Sequence, residues 1–73
     1  MHFLYQIITS AYIYTLYEEE GYAFLHILNL RTKESSDIFN TTKILNTLNE
    51  DNEVSEDDVI EVKDILATFL ISD

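Results

Sequence analysis

The stretch Asn49–Asp64, NEDNEVSEDDVIEVKD, carries the signals of a helix start together with a dense group of acidic residues. Ser55 predicts an N-cap, because its hydroxyl can accept a hydrogen bond from a free amide of the first turn. Asp58, three residues later, is placed to reach back to the Ser55 amide as in a capping box. We therefore predict a helix from about Glu56 to about Ile71.

At about 100° per residue, this helix has two faces. The apolar face consists of Val59, Val62, Leu66, Phe69 and Leu70, with Ile60 and Ile65 at its borders. Nearly opposite lie Asp57, Glu61 and Asp64, separated along the axis by rises of roughly 6 Å and 4.5 Å at about 1.5 Å per residue. The sequence thus predicts a regular row of carboxylates on a rigid helix.

Most of the negative charge lies in the last third of the chain. Residues 50–73 hold nine acidic residues and one basic residue, Lys63, which is −8 of the net charge of −10. Acids on a helix surface are ordinarily just solvated, but crowding of this kind destabilises a compact state. A function that uses the negative electrostatic field of these acids is one reason why a protein would retain such crowding. Nucleic acid and anionic membranes are not expected as direct partners, because phosphates repel carboxylates.

Composition indicates one globular domain over residues 1–73. The chain is 47% hydrophobic, so it can form a core despite its charge, and it has no cysteine for disulfides or thiolate metal sites. Its first 17 residues lack Asp, Glu, Lys and Arg. They also lack the basic start of a signal peptide, and polar residues interrupt the apolar run, so we expect a cytoplasmic protein without a membrane segment.

The first half of the chain predicts strands. His2–Glu18 is rich in β-formers, and Thr9-Ser10 is a kink, a bulge or a turn, which leaves one long strand or two short ones open. Glu19-Glu20-Gly21 predicts a tight hairpin turn in which Gly21 accepts a positive φ. Tyr22–Arg31 is the expected return strand.

Both faces of the return strand are largely apolar. One face holds Tyr22, Phe24, His26, Leu28 and Leu30, and the other holds Ala23, Leu25, Ile27 and Asn29. Two helices can cover one face of a small sheet, and nothing remains to cover the second. Because large exposed apolar patches usually mark an interface, we predict a homodimer formed through the strands. The alternative is that the helices wrap both sides, or that tyrosine hydroxyls make the outer face tolerable.

A polar connection, Thr32–Ser36, leads to a second predicted helix over about Asp37–Asn49, capped by Ser36 or Asp37. Its inner face consists of Ile38, Thr41, Ile44, Leu45 and Leu48, while Phe39 points towards a dimer partner or the sheet edge. The predicted fold class is α+β: an N-terminal antiparallel β-hairpin or three-stranded meander followed by two α-helices.

No motif predicts catalysis, a metal or a cofactor. Catalytic carboxylates need shifted pKa values in a cleft, whereas these acids crowd a polar face. A calcium loop laid over Asp51–Val62 has Glu56 where glycine is needed and Val62 where a bidentate glutamate is needed. His2 and His26 lack metal-ligand spacing. We therefore expect a non-enzymatic protein without cofactors.

The charge pattern favours mimicry of DNA. Duplex DNA presents one phosphate per about 3.4 Å of axis on each strand, and rows of carboxylates present a comparable field. Such a surface would bind the DNA-binding surface of a basic protein. The residues predicted to form it are Glu50, Asp51, Glu53, Glu56, Asp57, Asp58, Glu61 and Asp64.

In its size, its lack of Cys and Pro, its Asn/Ile/Glu/Tyr-rich usage and its acidic helix Glu56–Asp64, the chain resembles the small acidic DNA-mimic inhibitors made by bacteriophages. The resemblance is general and involves no residue motif. It implies a host-takeover protein that acts in the host cytoplasm on a basic DNA-binding protein, first of all an HU-type nucleoid-associated protein.

Two other functions stay open. A non-mimic interaction protein, such as an anti-CRISPR, antitoxin or immunity protein, would bind through the aromatic sheet face and Phe39. A purely structural oligomer would have no basic partner.

Overall fold

The computed structural model describes residues 1–69, which form a four-stranded antiparallel sheet followed by two helices. The α+β class predicted from the sequence is confirmed. The strands are β1 (His2–Ile8), β2 (Tyr12–Glu19), β3 (Tyr22–Asn29) and β4 (Ser35–Ile38), in the spatial order β1-β2-β3-β4. The helices are α1 (Thr41–Asn49) and α2 (Glu56–Ala67).

Two strands, not one, precede the glutamate-rich turn. The backbone amide of Thr9 donates to the Tyr12 carbonyl, and the Thr9 hydroxyl accepts from the amides of Ala11 and Tyr12, at 3.3 and 2.9 Å. Thr9 is buried, and its side chain satisfies two backbone amides of a tight turn whose residues Ser10 and Ala11 are exposed. This turn sets the register that pairs Ile8 with Ile13.

The β2–β3 turn is built as predicted. Glu20 and Gly21 both have positive φ, at 53° and 86°. Two such residues in a row give the primed hairpin turn whose twist matches that of the flanking strands. The Glu18 carboxylate accepts from the Gly21 amide at 2.8 Å. β3 ends at Asn29 instead of Arg31. The Asn29 side chain accepts hydrogen bonds from the amides of Arg31 and Thr32, and this turns the backbone.

The prediction of a polar connection followed by a helix from Asp37 was wrong. Residues Ser35–Ile38 form β4, which pairs Ile38 with Leu25 and Asp37 with His26. α1 begins only at Thr41, and its cap is Asn40, whose side chain accepts from the Lys43 amide at 2.9 Å, instead of Ser36 or Asp37. Ser-Ser-Asp is a poor strand by composition, and pairing with β3 overrides that preference.

α2 begins as predicted and ends earlier. The Ser55 hydroxyl accepts from the Asp58 amide at 3.2 Å. The helix ends at Ala67, where Thr68 is the C-cap and donates its hydroxyl to the Ile65 carbonyl. The predicted end at Ile71, and Leu70 of the apolar face, lie outside the described residues. Within residues 1–69, no helix is long and apolar enough to cross a membrane.

Both helices pack on the same side of the sheet. α1 contacts β3 and α2 contacts β1. The core between the helices and the sheet contains Ile7, Tyr14, Leu16, Leu25, Ile44, Leu48, Val62 and Leu66. Val59, Leu45 and Ile38 pack at its border, whereas Ile60, expected to widen the apolar stripe of α2, is 56% exposed.

The other side of the sheet, here called the open face, bears no helix of the described chain. Its apolar and aromatic side chains are Phe3, Ile8, Ile13, Tyr17, Tyr22, Phe24 and Leu28, as the strand registers place them. The expectation that the helices would leave one apolar face of the sheet uncovered is therefore met within residues 1–69.

Candidate protein-binding surface

The eight predicted site acids lie in α2 or in the turn that joins it to α1, here called the acidic segment (residues 50–64). Six of their side chains are exposed: Glu50, Glu53, Glu56, Asp57, Glu61 and Asp64. Asp51 and Asp58 are half-buried and reach towards the sheet. The structure thus groups the acids on the helical layer of the molecule but does not arrange all of them in one exposed row.

Asp58 is anchored to β1. The Tyr5 hydroxyl donates to Asp58 Oδ1 at 2.6 Å, across 53 residues of sequence. This bond, together with partial burial and the nearby carboxylates, raises the pKa of Tyr5 to about 12. The sequence suggested that Asp58 would close a capping box on the Ser55 amide. Its carboxylate instead accepts a hydrogen bond from Tyr5 of β1.

Asp51 is anchored to β2. The hydroxyl of Tyr14, a buried core residue, donates to Asp51 Oδ2 at 2.6 Å. Burial first, and then this hydrogen bond, raise the pKa of Tyr14 above its usual value. The other oxygen of Asp51 accepts from the Glu53 amide at 2.9 Å. One carboxylate thereby fixes both the turn backbone and its position against the sheet.

Glu53 is anchored to the β1–β2 turn. Its carboxylate accepts the Ser10 hydroxyl at 2.5 Å and the Ser10 amide at 3.0 Å. These bonds, the hydroxyl first, lower the pKa of Glu53, because they favour its ionised form. The acidic segment is consequently held to the sheet at three separate carboxylates.

All the donors to these three carboxylates are neutral. Within residues 1–69, the salt bridge of the protein joins His26 to Asp37, at 2.7 Å, across β3 and β4. The acidic segment has no such partner, and its own base, Lys63, forms no salt bridge in that part of the chain. The hydrogen bonds thus fix the positions of the carboxylates without cancelling their charge.

An open cleft of about 540 Å³ lies between β2 and the turn that precedes α2. Its walls include the rings of Tyr12 and Tyr14, whose centroids are 5.7 Å apart, and the acids Glu50, Asp51 and Glu53. Aromatic rings beside carboxylates suit a cationic side chain, which both groups attract. The cleft is therefore a candidate site for a lysine or arginine side chain of a partner.

The open face is a second candidate surface. Phe24 is buried there between the rings of Tyr17 and Phe39, with centroid distances of 5.6 and 5.2 Å. Phe39 follows the edge strand β4 and packs its ring against that of Phe24, but 64% of Phe39 stays exposed. His26 is half-buried on this face, as expected, and bonds Asp37.

In the described part of the chain, no group of three or more histidine, aspartate or glutamate side chains is arranged to hold a metal ion. No protein-family model, curated protein or solved structure matches the chain.

Sequence reasoning missed Tyr5, Tyr14 and Ser10, the three residues that position the acids. It assigned the tyrosines only to core and interface. Their alternation along β1 and β2 indicates which side of the sheet they are on, but not that their hydroxyls reach the acidic segment. That contact depends on how α2 and its preceding turn dock against the sheet.

Proposed function

We propose that this protein is a DNA mimic: it binds a basic DNA-binding protein through the acidic segment and occupies the surface that otherwise binds DNA. The observation that carries the proposal is the anchoring of Asp51, Glu53 and Asp58 by neutral hydroxyl and amide donors. Salt bridges to lysine or arginine would position these carboxylates equally well, but the positive charges would cancel their negative charge.

Fixed, uncompensated charge is what a mimic needs. A preorganised surface loses less conformational entropy on binding than a flexible acidic tail, so more of the interaction energy appears as affinity. The net charge of −10 also steers a cationic partner towards the chain, which gives fast and salt-sensitive association.

The exposed acids of α2 supply the phosphate-like part of the surface. Asp57, Glu61 and Asp64 lie on its outer side, with no base of the described chain bonded to them. The cleft beside Tyr12 supplies a place for a lysine or arginine side chain of the partner, between the rings and the carboxylates. Charge would thus attract the partner and the cleft would orient it.

Among basic DNA-binding proteins, we propose an HU-type nucleoid-associated protein of a bacterial host as the first partner to test. Size and symmetry favour this partner, because a small mimic that pairs with its own copy would match a small dimeric target. Action in the host cytoplasm, as expected for a bacteriophage inhibitor, belongs to the same proposal.

The experiment is affinity capture from a bacterial lysate with three baits: the wild-type chain and two triple variants. The test variant is Asp57→Asn/Glu61→Gln/Asp64→Asn, which removes the outer row of α2. The control is Glu19→Gln/Glu20→Gln/Glu34→Gln, which removes the same amount of charge from exposed acids outside the acidic segment. Retained proteins are eluted with rising salt or with duplex DNA and identified by mass spectrometry.

We expect the wild type and the control variant to retain a DNA-binding protein that both salt and duplex DNA release. Retention by the test variant is expected to fall and to depend less steeply on salt, because three charges that attract the partner are removed. An equal loss of retention in both variants would show that only the net charge matters, and would contradict a specific role for the acidic segment. A retained partner that resists salt and DNA would contradict mimicry.

The open face favours a second candidate function. Phe3 and Phe39 are 61% and 64% exposed, and exposed aromatic residues commonly form the hot spots of protein interfaces. An anti-CRISPR, antitoxin or immunity protein that bound its partner there would use the acids only for solubility. Retention of a partner would then depend on Phe3 and Phe39 and survive the loss of Asp57, Glu61 and Asp64.

A further inference from the structure

We infer that the open face is the contact surface of a homodimer, in which two copies pack sheet against sheet and carry their helices on the outside. This inference goes beyond the proposed function and does not rest on it. It involves a different side of the molecule, and a dimer can form whether or not the acidic segment mimics DNA.

Exposed apolar side chains are concentrated on this face. Of the six large hydrophobic residues that are exposed in the described chain, Phe3, Ile8 and Tyr22 project from the open face, at 61%, 66% and 70% exposure. Met1 and Phe39 line a groove at its margin together with Tyr17 and Phe24. Ile60, on α2, is the exception.

The area of the face is that of a small dimer interface. Three strands of seven or eight residues give an area of roughly 14 by 25 Å, to which the four residues of β4 add a strip of about 5 by 13 Å, at about 4.8 Å between strands and about 3.3 Å per residue. That projected area is roughly 420 Å², and side chains that stand away from the sheet increase the accessible area further. Stable interfaces begin at about 600 Å² per partner.

The charge distribution selects a second copy as the occupant. Each chain carries −10, so self-association requires a surface that lacks net repulsion. The centre of the open face has none, because its polar pair there is neutral: Gln6 donates to the buried Thr15 hydroxyl at 3.1 Å. At the margin, Asp37 is already bonded to His26, and Glu19, beside the β2–β3 turn, is the exposed acid that remains. A basic partner would find its complement on the acidic segment instead.

Sheet-to-sheet packing also keeps the acidic segments apart. Two packed sheets are about 10 Å apart, and each acidic segment lies on the far side of its own sheet. The separation therefore exceeds the Debye length of about 8 Å at physiological ionic strength, so the repulsion between the segments is largely screened. Pairing through the helical layers would bring the two segments into contact.

The test is the mass of the chain in solution, measured by sedimentation equilibrium over a range of micromolar concentrations. The test variant is Ile8→Glu, and the matched control is Ile60→Glu, the same substitution at a residue of similar exposure on α2. Both have the same net charge, and neither residue belongs to the buried core. Circular dichroism and urea denaturation report whether each variant remains folded.

We expect the wild type and Ile60→Glu to sediment as two 8.5-kDa chains. Ile8→Glu is expected to weaken dimerisation by at least about 100-fold, because a two-fold axis introduces the buried carboxylate twice. Raised salt is expected to strengthen the dimer, whereas it weakens binding of a basic partner, so the two proposals fail separately. A monomeric wild type, or a dimer that Ile8→Glu leaves intact, would overturn the inference.

Isotope-filtered nuclear Overhauser spectra on a mixture of labelled and unlabelled chains locate the contact. Contacts between the side chains of Ile13 and Leu28 of two copies would support face-to-face packing, since both lie on the central strands. Intermolecular contacts confined to the backbone of the edge strand β1 would indicate a continuous sheet across two copies and would overturn the inference.

Discussion

At the scale of single residues, the tyrosines explain how a small chain holds crowded carboxylates in place. Tyr5 and Tyr14 each bury part of a ring against the core and extend a hydroxyl to an acid, at 2.6 Å in both cases. A lysine in either position would neutralise the acid, and a phenylalanine would leave it without its donor. Tyrosine provides packing and a neutral donor in one side chain.

Replacing Tyr5 by phenylalanine tests this arrangement. Tyr5→Phe keeps the ring and removes the donor to Asp58, and we expect the free energy of unfolding at neutral pH to fall by about 1–2 kcal/mol. Urea denaturation measures the change. The control is Tyr22→Phe, at a tyrosine that is 70% exposed and whose hydroxyl bonds no other group of the described chain. An equal loss in both variants would contradict a specific role for Tyr5.

The same hydroxyl predicts a loss of stability at alkaline pH. The pKa of Tyr5 is raised from 10.0 to about 12 in the folded chain, so the folded state holds this proton more tightly than the unfolded state does. Its contribution to stability is full below pH 10.0 and is lost as the pH rises through about 12. We expect denaturation midpoints to fall over this range, and less steeply in Tyr5→Phe. Identical slopes would contradict the assignment.

At the scale of elements, local signals predicted what local chemistry determines. Ser55 predicted the start of α2, and Gly21 predicted the β2–β3 turn, because capping and positive φ depend on the residue and its near neighbours. β4 was missed because Ser35–Ile38 is a strand only through its pairing with β3. The cap of α1 was missed with it, since Asn40 caps only a helix that begins after β4.

Removing the N-cap of α2 tests how far that helix depends on its first turn. Ser55→Ala deletes the acceptor of the Asp58 amide, and we expect a loss of about 1 kcal/mol in the free energy of unfolding. Ser36→Ala is the control, at an exposed serine of β4. If denaturation showed no difference between the two variants, the Tyr5–Asp58 bond would be sufficient to hold the start of α2, and the cap would contribute little.

At the scale of the molecule, the protein has two unlike sides, and the sequence predicted both only in part. Alternation along β3 indicated an apolar face that no helix covers, and the periodicity of α2 indicated exposed acids. The positions of Asp51, Glu53 and Asp58 could not be predicted, because their donors are 37 to 53 residues away along the chain. Such contacts exist only once the helical layer is docked on the sheet.

The charge of the whole molecule predicts an unusual response to salt. With a net charge of −10 and a single salt bridge within the described residues, repulsion between acids outweighs attraction. Screening should therefore stabilise the fold, and the urea midpoint should rise with added sodium chloride. Ile8→Glu is the appropriate protein for this measurement, because its expected monomeric state separates folding from dimerisation. A midpoint that falls with salt would show that attraction between charges outweighs repulsion in the folded chain.

If the acidic segment takes the place of DNA, the chain and DNA must compete for one surface of the partner. The most direct measurement is competition: fluorescent duplex DNA is bound to the purified partner, an HU-type protein first, and its anisotropy is followed as the chain is added. Full displacement by the wild type and by Glu19→Gln/Glu20→Gln/Glu34→Gln, with a large loss of potency for Asp57→Asn/Glu61→Gln/Asp64→Asn, is the predicted result. A complex in which the partner binds the chain and DNA together would contradict it.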